Sequence, residues 1–226
     1  MELTARLQAV ADQVPLGAAF ADIGTDHAYL PVWLLLNNRI SHAIAADLRE
    51  GPLNRARETA KQYDQSENIS FRLCDGLTGI SPDEADTIAI AGMGGETIAS
   101  ILEAAPWTKE DKLLLLQPMT SFPDLRIWLQ QNGYCIEKEC ISREGKRLYS
   151  CLSVRAGQMG PLSPAELWVG KQNNDPLRKE FLYMMREKIE RALHGKLSAA
   201  EQAYEEIKYL RQVLAGIREM EDQIPL

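Results

Sequence analysis

Apolar runs too short for anything but strands alternate with helical stripes along the first 155 residues. Leu3, Leu7, Val10 and Val14 fall at helical spacing, which predicts a helix over 4–14 laid against a sheet and ended by Pro15. Apolar runs at 18–22, 42–47, 69–73, 86–91 and 112–116 predict five strands; the last, KLLLL, is apolar throughout, as a central parallel strand is. Helical patterns over 29–37, from Gly51-Pro52 to about Tyr63, from Glu96 to about Ala104 and over 123–132 separate or follow them. The first of these is apolar nearly all round, hence buried. Ser81-Pro82-Asp83-Glu84 fits a capping box that starts only a short turn.

Beyond Gly133 the rhythm changes. Residues 134–142 and 147–155 read as two strands joined by Arg143-Glu144-Gly145-Lys146, a hairpin signal. Gly157 and Gly160 mark a linker, and Ser163-Pro164-Ala165-Glu166 is a second capping box. One helix is predicted from about Pro176 to His194 and another from Ser198 to about Met220, with a break around Gly195 and a third box on Ser198 and Glu201. Phe181, Met185, Ile189 and Ala192 form one stripe; Leu197, Ala200, Tyr204, Ile207, Leu214 and Ile217 form another. Two stripes on neighbouring helices predict an antiparallel helical hairpin packed on itself. The second stripe drifts in phase near Arg211, so a perfect coiled coil is not implied. The expected organisation is an α/β domain over 1–156 and a small helical domain over 157–226. Strands that alternate with helices and finish in an antiparallel hairpin are the order of a class I, Rossmann-like methyltransferase sheet, not of a dinucleotide dehydrogenase.

At 226 residues the chain accommodates one α/β domain with an appendage. Its net charge of −7 gives no global pull toward nucleic acid, so such binding needs a local basic patch. The start, MELTARLQAVADQV, lacks a basic head followed by an apolar core, and no apolar run approaches the ~18 residues a membrane span needs. A cytoplasmic protein without membrane contact is expected. Cys74, Cys135, Cys140 and Cys151 are scattered with no CxxC pair, which argues against a zinc site and predicts reduced thiols.

Candidate chemistry gathers at the strand ends. AAFADIGTDHAYLP, residues 18–31, reads as strand, tight turn and helix, the arrangement that presents backbone N–H groups to a ligand at the end of a first parallel strand. Asp22, Gly24 and Thr25 belong to this turn, and Gly24 permits close backbone approach. Asp47 closes the second strand about 20 residues on, where a carboxylate accepts from vicinal ribose hydroxyls. Leu48 follows it. Asp75, Gly76 and Leu77 follow the third strand; Asp75 reads either as a turn residue beside a glycine or as an acceptor for an adenine amino group. Gly92, Met93, Gly94 and Gly95 follow the fourth, with more glycine than a turn needs, which favours a ligand surface. A first loop without GxGxxG disfavours pyrophosphate, hence NAD and ATP, and suits S-adenosylmethionine.

ADIGTDHAYLP, AADLREGPL, CDGL, IAGMGGETI and LQPM, in that order, resemble bacterial tRNA adenine-N1 methyltransferases of the TrmK type, which modify adenine 22. The resemblance covers about residues 1–155, with the helical tail standing where that family has its coiled-coil domain. It implies S-adenosylmethionine as cofactor, tRNA as substrate and a Rossmann-like catalytic domain. Adenine N1 attacks with an in-plane lone pair and no proton leaves during transfer, so such a site needs positioning and charge complementarity more than a strong base. Asp26 and His27 are the candidates to orient the base or stabilise its charge; His27 also reads as a plain loop residue bonded to backbone. No Asn/Asp-Pro-Pro-Tyr loop follows the fourth strand, which is consistent with a ring-nitrogen target. Glu96 is read as favouring its helix N-terminus by charge.

Arg178, Lys179, Arg186, Lys188, Arg191 and Lys196 make one local basic cluster, and Lys138, Arg143, Lys146 and Arg147 make another. Gln117, Arg143, Arg186 and Lys188 are the candidate substrate contacts; a charge run on a helix also reads as a solvated face. A monomer or weak dimer is expected. The rival readings are a methyltransferase for another RNA, a protein or a small molecule, and a non-catalytic RNA-binding scaffold.

Overall fold

The computed structural model describes residues 1–198 and 203–224. Five parallel strands, β1 (Phe20–Ile23), β2 (Ala43–Asp47), β3 (Ile69–Leu73), β4 (Thr87–Gly94) and β5 (Leu113–Thr120), form most of one sheet. The hairpin strands β6 (Tyr134–Glu144) and β7 (Arg147–Ala156) complete it, with β7 antiparallel to β5. The order is β3-β2-β1-β4-β5-β7-β6. The chain winds outward from β1 in one direction and from β4 in the other, so a crevice opens at the carboxyl ends of these two strands, where open α/β sheets bind ligands. Every residue of β1 and β2 is buried, as expected for strands covered on both faces.

Five helices cover the sheet: α1 (Ala5–Ala11), α2 (Tyr29–Leu36), α3 (Glu50–Gln62), α4 (Gly95–Glu103) and α5 (Phe122–Gln131). Thr4 caps α1. One apolar cluster joins α1 and α2 to one sheet face through Val10, Val14, Leu34 and Phe20. Another joins α4 and α5 to the other face through Ile98, Leu102, Leu125 and Ile90. A third consists of α6 (Pro164–Val169), α7 (Arg178–Leu197) and α8 (Tyr204–Asp222), together with Ile141 and Leu148 of the hairpin. The Ser163 capping box is complete, its hydroxyl accepting from Glu166 N–H while Glu166 returns to the Ser163 N–H. At Ser81 only the reciprocal half forms, the Ser81 N–H donating to Glu84 Oε2 at 2.8 Å.

Several boundaries differ from the local pattern, each for a tertiary reason. Strand β4 runs through Met93 and Gly94 because β5 continues past Leu116 and pairs with them through Pro118 and Thr120, with register shifts on the way. The glycines at 92–95 are therefore a bulged strand end and not a free loop. A side chain on Gly95 would overlap the Ser121 carbonyl, so what approaches the backbone there is the chain's own β5–α5 connection. The hairpin turn is two residues, Gly145 and Lys146, with Glu144 still paired to Arg147. Helix α7 passes through Gly195 to Leu197 without a break; a lone glycine costs only about 1 kcal/mol in a helix. Ser198 ends α7, its hydroxyl donating to the His194 carbonyl, whereas Glu201 of the third box and Ala200 of the second stripe lie outside the described residues. Ala192, Leu197 and Tyr204 are exposed. The stripe of α8 that is buried is Ile207, Leu210, Val213, Leu214 and Ile217, because α6 as well as α7 packs on it.

Candidate active site at the carboxyl edge of the sheet

The turn after β1 is tied to the end of β2. The N–H groups of Gly24 and Thr25 both donate to the Ala46 carbonyl, at 2.8 and 3.0 Å. Gly24 has φ +77°, a conformation glycine takes without strain. A side chain there would overlap the Met93 thioether, so the absent Cβ of Gly24 makes room for Met93 and joins the first turn to the end of β4.

Asp22 lies beneath this turn, and burial pushes its carboxyl up from 3.8 to about 6. The nearby Thr25 hydroxyl opposes the rise, Asp47 adds to it by like-charge repulsion, and Arg6 opposes it. Although Thr25 Oγ1 is close enough to act on Asp22, it makes no hydrogen bond of regular geometry among the described residues and stays a buried, unpartnered polar atom. The native state thus holds the Asp22 proton that the unfolded chain releases above about pH 4. Stability contributed by this group is full below that pH and is lost as pH rises to about 6, a difference of about 3 kcal/mol. Asp22→Asn is therefore expected to gain on the wild type by about that amount between pH 4 and pH 7 in denaturant titrations. An equal stability difference at both pH values would contradict the buried protonated state.

Asp47 and Asp75 flank the same edge. Asp47 Oδ1 accepts from the Arg49 N–H at 2.8 Å, with the Arg49 guanidinium 3.9 Å away, while Oδ2 is unengaged among the described residues. Leu48 is 64% exposed beside it, an apolar surface with nothing packed over it. The exposed Asp75 takes its turn through the backbone, its carbonyl accepting from the Thr78 N–H and hydroxyl at 3.1 and 2.9 Å, and its carboxylate has no hydrogen bond among the described residues. Gly76 (φ +55°) and Leu77 point the other way. Leu77 is buried in the core, and a side chain on Gly76 would press on Ile101, so these two serve the turn and its packing and offer at most backbone atoms to a ligand.

Of the β4 glycines, Gly92 is exposed at φ +82°, and Gly94 faces Thr120, whose Oγ1 would stand 3.1 Å from an added Cβ. Asp26 and His27 sit at the rim. Asp26 forms an ion pair with Arg55 of α3, and His27 Nε2 lies 3.6 Å from its other oxygen. The His27 ring stacks on Tyr29 with centroids 5.0 Å apart and planes 3° from parallel. Ala28, between them, is buried in the left-handed region at φ 53°, a strained conformation for a residue with a Cβ.

Arg6 is the residue that sequence reasoning missed. From α1 its Nη1 donates to Gln117 Oε1 at 2.7 Å, its backbone carbonyl accepts from Gln117 Nε2 at 3.2 Å, and its Nε lies 3.5 Å from Glu144. The same guanidinium borders Gly92 and stands 5.9 Å from the Tyr149 ring. No local signal links residues 111 positions apart. This contact corrects the expectation for Gln117: it is fully buried with both ends of its amide engaged by Arg6, so it anchors α1 to β5 and presents nothing to a substrate. Arg143 is likewise taken up by Glu180 in a two-pronged ion pair, and Arg186 by Glu221 at 3.1 Å and Glu190 at 3.3 Å. Lys188 alone of these four stays exposed and without a carboxylate partner among the described residues.

This fold, a parallel sheet in the order β3-β2-β1-β4-β5 finished by an antiparallel terminal hairpin, is that of a class I methyltransferase. Residues 3–152 match the family model described as a methyltransferase domain. The Bacillus subtilis tRNA (adenine(22)-N(1))-methyltransferase is 43% identical over 162 residues, which are 70% of this chain and 66% of that protein, just under two thirds of its length. The crystal structure of the B. subtilis m1A22 tRNA methyltransferase TrmK superposes with a TM-score of 0.85 at 33% identity, covering 98% of this chain and 99% of that one. A Streptococcus pneumoniae structure in complex with S-adenosyl-L-methionine gives 0.84 at 36% identity over 97% and 100%. The chain belongs to the TrmK family of tRNA methyltransferases.

Proposed function

We propose that this protein methylates N1 of adenine 22 in tRNA with S-adenosylmethionine as donor, in the cytoplasm. The observation that carries the reading is the pair of unengaged acceptors at one strand edge, Asp47 Oδ2 and the exposed Asp75 carboxylate, with exposed Leu48 beside them. That donor fits them. Asp47 accepts from the ribose hydroxyls, Asp75 from the adenine amino group, Leu48 covers the adenine face, and Asp22, Gly24, Thr25 and the backbone of Gly92, Met93 and Gly94 line the remaining path. When bound, the cofactor supplies an electrophilic methyl group.

The chain's own residues then have to hold the substrate base in line and complement the positive charge that develops on it. Asp26 suits the second task because its carboxylate sits at the rim, although Arg55 offsets part of its charge. His27, stacked on Tyr29, supplies with that ring a flat, partly exposed platform against which a base can be oriented. We assign the segment 157–226, which carries α6, α7 and α8, to substrate docking. No helix of the described residues is long and apolar enough to cross a membrane.

Transfer of labelled methyl to unmodified tRNA, with the product nucleoside identified by mass spectrometry, tests the reading. N1-methyladenosine at position 22 is the expected product. A different methylated nucleoside would keep the donor and overturn the target; transfer only to a protein or small molecule would overturn the substrate class.

A further inference from the structure

We propose that the groove between the start of α5 and the three tail helices is a stacking seat for an unpaired base of the RNA substrate, adjacent to the base that is methylated. The proposal rests on the tRNA reading above and names where the substrate's neighbouring nucleotide goes.

The groove encloses about 420 Å³, within the range of small-ligand sites. Three aromatic side chains from three helices line it: Phe122 of α5, Trp168 of α6 and Tyr209 of α8. Lys188 of α7 joins the lining, its Nζ 5.8 Å from the Phe122 ring centroid and 5.9 Å from that of Trp168. The Trp168 indole N–H donates to the Tyr209 hydroxyl at 3.2 Å, which holds both rings in orientation. None of the three rings is fully buried: Trp168 and Tyr209 pack one side on the core of the tail helices and leave part of their surface to the groove. Asp124 is the one carboxylate of the lining, and as an exposed residue in the first turn of α5 it is stabilised by the helix terminus.

The chemistry matches a nucleotide: flat apolar faces for a base and a lysine for its phosphate. The position matches as well. Thr120 and Ser121, which form the near wall, are the residues that press on Gly94 and Gly95, and the Ser121 hydroxyl lies 3.5 Å from Glu96 Oε1. The groove thus opens from the strand end that carries the proposed methyl-transfer site. Ser121 itself is held at φ 52° with no side-chain cap on its helix, a strained residue at the junction between them. An adenine that reaches a methyl donor at a sheet edge has left its own stack, and the base it leaves behind requires a new stacking partner.

Phe122→Leu removes the aromatic face while keeping apolar bulk, and Lys188→Ala removes the cation from an exposed position. Each is expected to raise KM for tRNA about tenfold, with kcat at saturating tRNA and the calorimetric affinity for S-adenosylmethionine unchanged. Phe122→Tyr should restore the wild-type KM. A hexamer of unpaired adenosines should quench tryptophan fluorescence in the wild type and not in Trp168→Phe. Should Phe122→Leu disturb folding, seen as lost cofactor binding, Lys188→Ala and the fluorescence titration carry the test. Unchanged KM in both variants, with a wild type that methylates tRNA, overturns this seat and leaves the tRNA reading standing. Equal quenching in Trp168→Phe does the same, and a gain of binding to a protein but not to the hexamer assigns the groove to a protein partner. No transfer to tRNA by the wild type overturns the parent reading and this one with it.

Discussion

Glu139→Ala is expected to cost the fold about 3–5 kcal/mol, a large part of the stability of an ordinary domain. Glu139 of β6 receives Arg126 Nη2 of α5 at 2.6 Å, and both side chains are almost fully withdrawn from water. A second buried guanidinium, Arg178 of α7, feels the same carboxylate. Burial drives Arg178 down to about 10, Glu139 opposes that, and Arg126 reinforces it by repulsion. Arg178 also donates to the Val169 and Gly170 carbonyls at the end of α6 and, at 3.2 Å, to Gln172. Gly170, at φ +72°, lies so close to Glu139 that any side chain there would overlap the carboxylate. Deleting this acid leaves two buried cations facing each other, with only the weaker attraction of Asp175 to offset the charge of Arg178. Urea titration should show the midpoint falling in Glu139→Ala with the slope unchanged. The double variant Arg126→Met/Glu139→Leu should lose much less than the sum of the single changes, since an apolar pair removes charge and countercharge together. Additive losses would mean that the pair does not act as a unit. This cluster is the weld between the sheet and the tail helices.

The second large effect concerns the cofactor. Asp47→Ala should weaken S-adenosylmethionine binding about 100-fold by calorimetry, the equivalent of losing one or two hydrogen bonds to a charged acceptor. Stability should hardly change. The substitution gives up the Asx contact to Arg49 N–H, but it also removes the repulsion that helps keep Asp22 protonated. Asp22 should accordingly ionise at lower pH in Asp47→Ala. Unchanged affinity would remove Asp47 from the ribose site.

Helix and strand order were legible in the sequence because each depends on local periodicity. Phe20–Ile23, Ala43–Asp47 and Leu113–Leu116 are buried runs typical of covered parallel strands, Ile69–Leu73 is a half-buried edge strand, and Asp22, Asp47 and Asp75 could be placed at one sheet edge by counting. The close of the hairpin at Gly145 and the Ser163 cap were equally local. Charge on its own was a poor guide to surface chemistry. Arg143 and Arg186 read as free cations until α7 and α8 brought Glu180 and Glu221 to them.

Tertiary structure alone decided which of the candidate residues face outward. Gln117 ends a strand in the sequence pattern, yet Arg6, 111 residues away, takes its amide into the interior. The glycines after β4 belong to a paired strand because β5 runs on beside them. Phe122, Trp168, Lys188 and Tyr209 share a groove only once four helices have packed. The physical reason is common to all three. Secondary structure responds to neighbours three or four positions along the chain, whereas hydrogen-bond satisfaction, ion pairing and ring clustering depend on groups brought together by burial of a core, and no spacing in the sequence encodes those distances.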